Sequence, residues 1–544
     1  MNATVWISVL TVIVSTSSAL AAAAGPANNM ANLIPRPVSV ERRDGSFRIV
    51  PTTQVVAEGQ AAGEASKLID LLSRPMGWRL ALVGQSPLPT NILRMGIDPS
   101  LKERLGDEGY ELDASPQSVT ILASEPAGLF YAGQTLLQLL PTAVFSPKPV
   151  EGTEWAVPCV RITDRPRFRW RGLLIDPARH FIPIADVERY IDAMVLHKFN
   201  RLQIHLTDDH GWRIEIKKYP LLVEVGARMD FTALQEGGAT AASRRPSGFY
   251  TQDDIRRLVR YAADRHVTIV PEIEMPAHTG AAIVSYPMLG LYPEKLGSLP
   301  AEQRWTANER VLAPRPESVT FMQDVLAEVA ALFPSRQIHI GGDEANIAHW
   351  KQSEEMQAMM RHLGLKDETE LHSWFIGQMD AFLTKLGRQL VGWDEILQGG
   401  LAPGAIVMSW RGTAGGITAA QAGHDVIMAP TSHTYFDYYQ GPTQTEPRAI
   451  GGLIPLQKVY EFEPIPEALD AAQAGHVLGG QGQLWGEYIA DGRHREYMTY
   501  PRAAALAETL WSPREGRDYA EFAARLANHV KRLALLGVNY RPLD

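Results

Sequence analysis

The chain has 544 residues and a formal net charge of -9, so it shows no basic excess that would mark a nucleic-acid or anionic-membrane partner. Apolar residues make up 45% and charged residues 21%, the balance of a soluble globular protein, and the length suits two domains, one of them large. Cys159 is the only cysteine, which rules out an intrachain disulfide and reads as a small buried hydrophobe.

Residues 1–24 have the pattern of a secretory signal peptide. Val5–Val14 is apolar but too short to span a bilayer, and small residues run from Ser15 to Ala24. The expectation is cleavage near Ala24 and export to the periplasm or the medium, with an uncleaved anchor as the alternative. A single cysteine suits the bacterial periplasm better than a eukaryotic secretory route. No later segment reaches transmembrane length without charges, so no stable membrane insertion is expected.

Residues 30–166 read as a small α+β accessory domain. Strand-like runs (Phe47–Val50, Ile92–Gly96, Ser118–Leu122) alternate with helix-like ones (Ala61–Leu72, Ala127–Leu140). Ile162–Arg167, with Pro166, suits a junction. From 167 to 544 buried-strand runs alternate with amphipathic helices, the pattern of βαβ units and a parallel sheet. Eight strand candidates follow: Gly172–Asp176, Arg201–Leu206, Val267–Ile273, Gln337–Gly341, Gln389–Gly392, Ala405–Ser409, Asp425–Met428 and Val477–Gln483. Helices are expected at Ala185–His197, Thr251–Arg265 (capped by Thr251), Pro316–Leu332 and Glu370–Leu386. This predicts a (β/α)8 TIM barrel with insertions. An open doubly wound sheet is the competitor, but no Gly-rich phosphate fingerprint follows the first strand.

The active site of such a barrel lies at the C-terminal strand ends. All eight candidates end in acids, Arg, His or Trp. The most specific is His339-Ile340-Gly341-Gly342-Asp343-Glu344, where a Gly-Gly turn is followed by two adjacent carboxyls. Neighbouring carboxylates repel, so one pKa is expected to rise while the other group stays ionised, the division of labour that acid-catalysed glycoside cleavage needs. Taken singly, the same residues have plain structural readings. Asp176 and Arg179 suit a rim salt bridge, His205 a satisfied core histidine, and Asp208-Asp209-His210 a solvated turn.

Seven motifs together resemble the family 20 glycoside hydrolases, the β-N-acetylhexosaminidases. They are Arg171-Gly172 through Asp176-Pro177-Ala178-Arg179-His180, His205-Leu206-Thr207-Asp208-Asp209, Pro271-Glu272-Ile273-Glu274-Met275-Pro276-Ala277-His278, the Gly-Gly-Asp-Glu string, Gly392-Trp393-Asp394-Glu395, Tyr435-Phe436-Asp437 and Trp485-Gly486-Glu487. Leu33–Pro37 resembles the start of that family's accessory domain. The resemblance implies an exo-acting enzyme that removes terminal N-acetylhexosamine from oligosaccharides or glycoconjugates with retention, the substrate's 2-acetamido oxygen acting as nucleophile. It implies Glu344 as general acid and base, an ionised Asp343 orienting the acetamido N–H, and Tyr435 donating to its oxygen. It implies Trp393, Trp410 and Trp485 as pocket walls, Arg179, Asp437 and Glu487 as sugar-hydroxyl ligands, and Asp208 and His278 paired behind Glu344. It implies no cofactor or metal, does not separate N-acetylglucosamine from N-acetylgalactosamine, and leaves the oligomeric state open.

Two departures stand out. The family usually has Asp and Gly where this chain has Glu274 and Ala277, so Glu274 is expected only behind the site. The family often places another Trp between the Tyr-x-Asp and Trp-x-Glu motifs, and Thr443–Tyr460 contains none. The competing enzyme reading is a metal-dependent barrel hydrolase using His205, Asp208, His210, His278, His339 and Asp343. A silent hexosamine-binding protein and an endo-acting, chitinase-like enzyme are the others.

Overall fold

The structure is a computed structural model that describes residues 32–227, 248–489 and 491–543; the expected signal segment lies outside the described residues. A seven-stranded sheet comes first. Its spatial order is Ser39–Arg48, Ala156–Asp164, Tyr110–Ala114, Ser118–Ala123, Ile92–Ile97, Gln54–Val56 and Ala81–Val83, and helices Gln60–Met76 and Pro126–Leu139 bury their apolar sides against it. Four of these strands escape the sequence pattern, and Ser39–Arg48 was expected only at its end. Its sequence is SVERRDGSFR and its side chains are mostly exposed, so no alternation marks it.

Eight parallel strands then close into a barrel: β1 (Trp170–Ile175), β2 (Arg201–His205), β3 (Thr268–Glu272), β4 (Gln337–His339), β5 (Gln389–Trp393), β6 (Ile406–Ser409), β7 (Val426–Met428) and β8 (Val477–Gly482). Each overlaps its predicted segment, and β8 pairs back onto β1 through Gly479–Gly482 and Trp170–Leu173. The strands read as continuous apolar runs because both faces are covered; every residue of β1 and β8 is buried. Thr251 and Asp254 form a reciprocal capping box on helix Gln252–Ala263, and Asp367 caps Glu368–Lys385.

The barrel interior is filled by Trp170, Leu174, Val270, Val391, Ile406, Met408 and Ile427. A polar thread runs through this core. Trp170 Nε1 donates to Gln481 (3.0 Å), Gln481 to Gln203 (2.6 Å), and Gln203 to Glu272 (2.8 Å) just under the upper rim. The two units meet at Asp164, whose buried carboxylate takes Lys198 Nζ (2.9 Å), Tyr110 OH (2.7 Å) and Trp511 Nε1 (3.0 Å). No described helix is long and apolar enough to cross a membrane.

Candidate active site

The turn after β4 is built from two left-handed glycines, Gly341 (φ 70°) and Gly342 (φ 88°), and Gly341 N–H donates to His339 Nδ1 at 3.0 Å. A side chain at Gly341 would be strained at φ 70° and would displace Glu274, whose Oε2 lies 1.6 Å from where a Cβ would stand. The turn delivers Asp343 and Glu344 to the upper rim. There a cavity of about 260 Å³ is lined by Arg179, His205, Glu274, His278, Asp343, Glu344, Trp393, Trp410, Tyr435, Tyr438, Asp437, Trp485, Glu487 and the Ile450–Gly452 lip. Every residue expected at the pocket is therefore in it, and Asp208 lies behind the wall.

His278 joins the groups. Its Nε2 is 3.3 Å from Glu344 Oε2 and 3.7 Å from Asp343 Oδ2, and its Nδ1 is 3.4 Å from Asp208 and 3.6 Å from Asp209. Burial alone would depress the His278 pKa, but these carboxylates outweigh it and hold the ring well above the usual histidine range, as a cation. Arg179 ties the floor together, with Asp176 at 2.9 Å, Asp208 at 2.8 Å and Glu487 at 3.8 Å. Asp208 is buried, contrary to its reading as a solvated turn.

The two rim carboxyls are shifted in opposite directions. Glu344 is held low, chiefly by its hydrogen bond to His278, and its side chain is 59% exposed. Asp343 is pushed up, first by burial and then by Glu272 and Glu344. The repulsion argument gave no direction to either group; the expected pairing of His278 with Glu344 supplies the one that lowers Glu344, with Arg179 adding to it.

Glu274 is 1% exposed, in keeping with a place behind the site. It reaches the pocket wall under the Gly-Gly turn, where burial, then Asp343 and Glu272, raise its pKa well above the carboxylate range. The Glu274 and Ala277 departures leave the His278 contacts in place.

The aromatic wall is mutual: Trp393 and Trp485 lie 5.7 Å apart, and Trp410 stacks on Tyr435 at 6.3 Å. Glu272 fixes one side by accepting from Trp393 Nε1 at 3.0 Å. Glu395, which sequence reading left without a role, fixes the other by accepting from Trp410 Nε1 at 2.9 Å. Burial and then Asp343 raise Glu395 to about 8. Tyr438 and the lip carried no signal, since their loop has neither periodicity nor a charged motif. At the floor, both Asp437 oxygens and Glu487 Oε2 are buried without hydrogen-bond partners, placed to receive hydroxyl donors.

Among the described residues, two groups come within reach of one metal ion: His205, Glu272 and Glu274, and Asp208, Asp209 and His278. Neither fits one. His205 turns both ring nitrogens to carboxylates, Nδ1 to Glu272 (2.8 Å) and Nε2 to Asp208 (3.1 Å), which overcome burial and raise it to about 10, so it keeps no lone pair. In the second group Asp208 already faces Arg179 and His278 is cationic.

Comparison with known proteins completes the picture. Residues 168–514 match the model of the glycosyl hydrolase family 20 catalytic domain, and residues 30–165 that of the family's domain 2. A beta-hexosaminidase of Porphyromonas gingivalis is 43% identical over 513 residues, 94% of this chain; the match spans 64% of that protein's length. A beta-hexosaminidase of Vibrio furnissii is 35% identical over 482 residues, covering 88% of this chain and 76% of its own. Among solved structures, the beta-N-acetylhexosaminidase of Streptomyces coelicolor A3(2) superposes with TM-score 0.81 at 32% identity, over 94% of this chain and 98% of that one. The Vibrio harveyi exo beta-N-acetylglucosaminidase in complex with N-acetylglucosamine gives 0.82 at 33%, over 94% and 78%.

Proposed function

We propose a function from one premise: this chain belongs to glycosyl hydrolase family 20. It is an exo-acting β-N-acetylhexosaminidase that releases a terminal, non-reducing N-acetyl-β-D-hexosamine from an oligosaccharide or glycoconjugate. The observation that carries this is the pairing of Asp343 and Glu344 over a small aromatic-walled pocket, both within 3.7 Å of the His278 imidazolium. A cavity of about 260 Å³ is small beside the ~300–1,000 Å³ of larger ligand sites. It suits one sugar, which favours exo over endo cleavage.

The chemistry follows from the groups. Tyr435 donates to the acetamido oxygen and aims it at the anomeric carbon, while Trp393, Trp410 and Trp485 enclose the acetyl methyl. Asp343 accepts the acetamido N–H and offsets the positive charge that develops as the oxazolinium ring forms. The new C–O bond displaces the glycosidic oxygen, which takes a proton from Glu344. Water then attacks the anomeric carbon, giving its proton to Glu344 and reopening the ring with net retention. The substrate opposes both shifts: its N–H favours ionised Asp343, and its leaving group covers exposed Glu344. Arg179, Asp437 and Glu487 hold ring hydroxyls through charge-assisted bonds.

The test is a pair of aryl glycosides. The β-N-acetylglucosaminide or the β-N-acetylgalactosaminide should turn over, and the β-glucoside should not, because a missing nucleophile costs far more than the 10–200-fold of a lost pocket contact. The first product seen by proton NMR should be the β-anomer; an α-anomer would overturn substrate assistance. Chelator dialysis should leave turnover intact. The N-terminal pattern supports export to the periplasm or medium, and N-terminal sequencing should then begin between Ala24 and Asn28.

A further inference from the structure

Of the described residues that line the pocket, three are exposed: Glu344, Ile450 and Gly452. Asp437, with its two unpartnered oxygens, is 3% exposed and marks the floor. A sugar whose hydroxyls reach that floor extends only past the exposed residues. Glu344 stands at this opening because the leaving-group oxygen takes its proton there. The rest of the opening is the Ile450–Gly452 lip, so the leaving group crosses it on the way out.

The lip is fixed to the loop that carries Tyr435 and Asp437. Ile450 N–H donates to Asp437 O (3.3 Å), Tyr439 N–H to Gly451 O (3.4 Å) and Ile454 N–H to Tyr439 O (2.8 Å). Buried Arg502 ties both sides together, donating to Tyr438 O (3.0 Å) and Ile454 O (3.2 Å). Gly452 lies against the Tyr438 ring, where a Cβ would stand 2.0 Å from Cδ2, and its φ is 61°. These bonds occupy the Ile450 N–H and the Gly451 carbonyl, and neither glycine has a side chain. What the lip presents is the Ile450 side chain, 46% exposed, a carbon surface without donor or acceptor.

We propose that Ile450 is a specificity-determining residue on the leaving-group side: it receives the leaving group on carbon and selects it by an apolar face, not by a hydroxyl pattern. The C–H face of a pyranose supplies such a face, and so does an alkyl chain. This rests on the reaction proposed above and names the leaving-group chemistry it takes. Covering an exposed aliphatic side chain removes apolar surface from water, a gain that needs no particular hydroxyl configuration. Ile450 touches no reacting atom, so its contribution is uniform binding, which lowers KM and leaves kcat alone.

Three substrates with one terminal sugar test this: the methyl and hexyl β-N-acetylhexosaminides, and a disaccharide with the same non-reducing end. The methyl group is too short to cover Ile450. For the hexyl glycoside and the disaccharide, KM should lie about tenfold below that of the methyl glycoside, the low end of what one apolar contact contributes in a pocket. Ile450→Ser should abolish that advantage and leave the methyl glycoside unchanged. Leu453→Ser, at a residue 55% exposed on the same loop and outside the pocket lining, should change none of the three. An equal loss on all three in Ile450→Ser, or an advantage that survives it, overturns the proposal. An advantage confined to the disaccharide overturns it too, because hydroxyls would then be read. A second arm needs no turnover, so it separates failure here from failure of the proposed reaction. The methyl and hexyl 1-thio analogues, which resist hydrolysis, are titrated against the fluorescence of the pocket tryptophans. The hexyl compound should bind the wild type about tenfold more tightly, and Ile450→Ser should bind both alike. Equal affinities in the wild type overturn the proposal whatever the kinetics.

Discussion

His278 and Glu344 meet at 3.3 Å across the rim, and both reach that contact from left-handed backbone, φ 52° and 49°. Such conformations cost roughly 1–3 kcal/mol each in a residue with a Cβ, and they persist where the surroundings over-determine them. Here the surroundings are the four carboxylates around one imidazolium.

Replacing that imidazolium should therefore move titration more than folding. Asn tolerates the left-handed region, so His278→Asn should keep a near-native melting curve. Glu344 loses the hydrogen bond that holds it low and Asp343 loses its cation, so both pKa values rise. The acid limb of the pH–kcat/KM profile should shift to higher pH. An unmoved limb would show that His278 does not set the carboxyl charges.

Glu344→Gln removes the proton source and spares the pocket. Substrates with poor leaving groups should lose about 10²–10⁴-fold, the usual scale of general acid–base catalysis. Aryl glycosides with acidic leaving groups should lose less at the cleavage step. A uniform loss across a leaving-group series would remove Glu344 from the acid role.

Asp343→Asn keeps the shape and discards the charge. Because Asp343 acts on charge that develops during ring formation, the loss should fall in kcat, by about 10²–10³-fold, with a smaller change in KM. A thiazoline mimic of the cyclised intermediate should bind the variant more weakly than the wild type. Equal affinity would mean that Asp343 does not read that charge.

How much of this was legible depends on what each feature rests on. The eight barrel strands were visible because burial on both faces leaves unbroken apolar runs between amphipathic helices. The site was visible because those runs all end in chemically committed residues, such as Trp393 after β5 and Trp485 after β8. The upward shift of Asp343 was not legible, since it depends on how deeply that carboxyl is buried. The polar strand Ser39–Arg48 hid for a simpler reason: an exposed edge needs no alternation.

A stability prediction comes from a buried pair far from the pocket. His529 Nε2 and His197 Nε2 are 2.8 Å apart, His197 Nδ1 is 2.9 Å from Ala193 O, and Arg532 Nη1 is 3.2 Å from His529 Nδ1. The donors settle the tautomers. Arg532 can only donate, so His529 Nδ1 accepts; His529 Nε2–H then donates to His197 Nε2, and His197 Nδ1–H to the carbonyl. Each ring is neutral, and an added proton would break one bond of the chain. Burial is the main cause of the lowered pKa values, to about 4 for His197 and well below the usual range for His529, where His197 and Arg532 add to it. Both rings therefore stay neutral in the folded protein while the unfolded chain takes up protons near pH 6.5. Stability is fully present above that value and is lost as the pH falls toward 4, by up to about 3 kcal/mol for His197 alone. His205, held up to about 10, is protonated in both states below pH 6.5 and adds no slope there. Between pH 7 and pH 4.5 carboxyls held high, such as Glu395 at about 8, add stability as the pH falls and His372, lowered to about 4, removes it, so the pair is read from the difference between the urea midpoints of wild type and variant. His529→Gln should start from a lower midpoint at pH 7 and close on the wild type as the pH falls, because one proton has been taken out of the linkage. Parallel curves for the two proteins would show that the pair is not the acid-sensitive element.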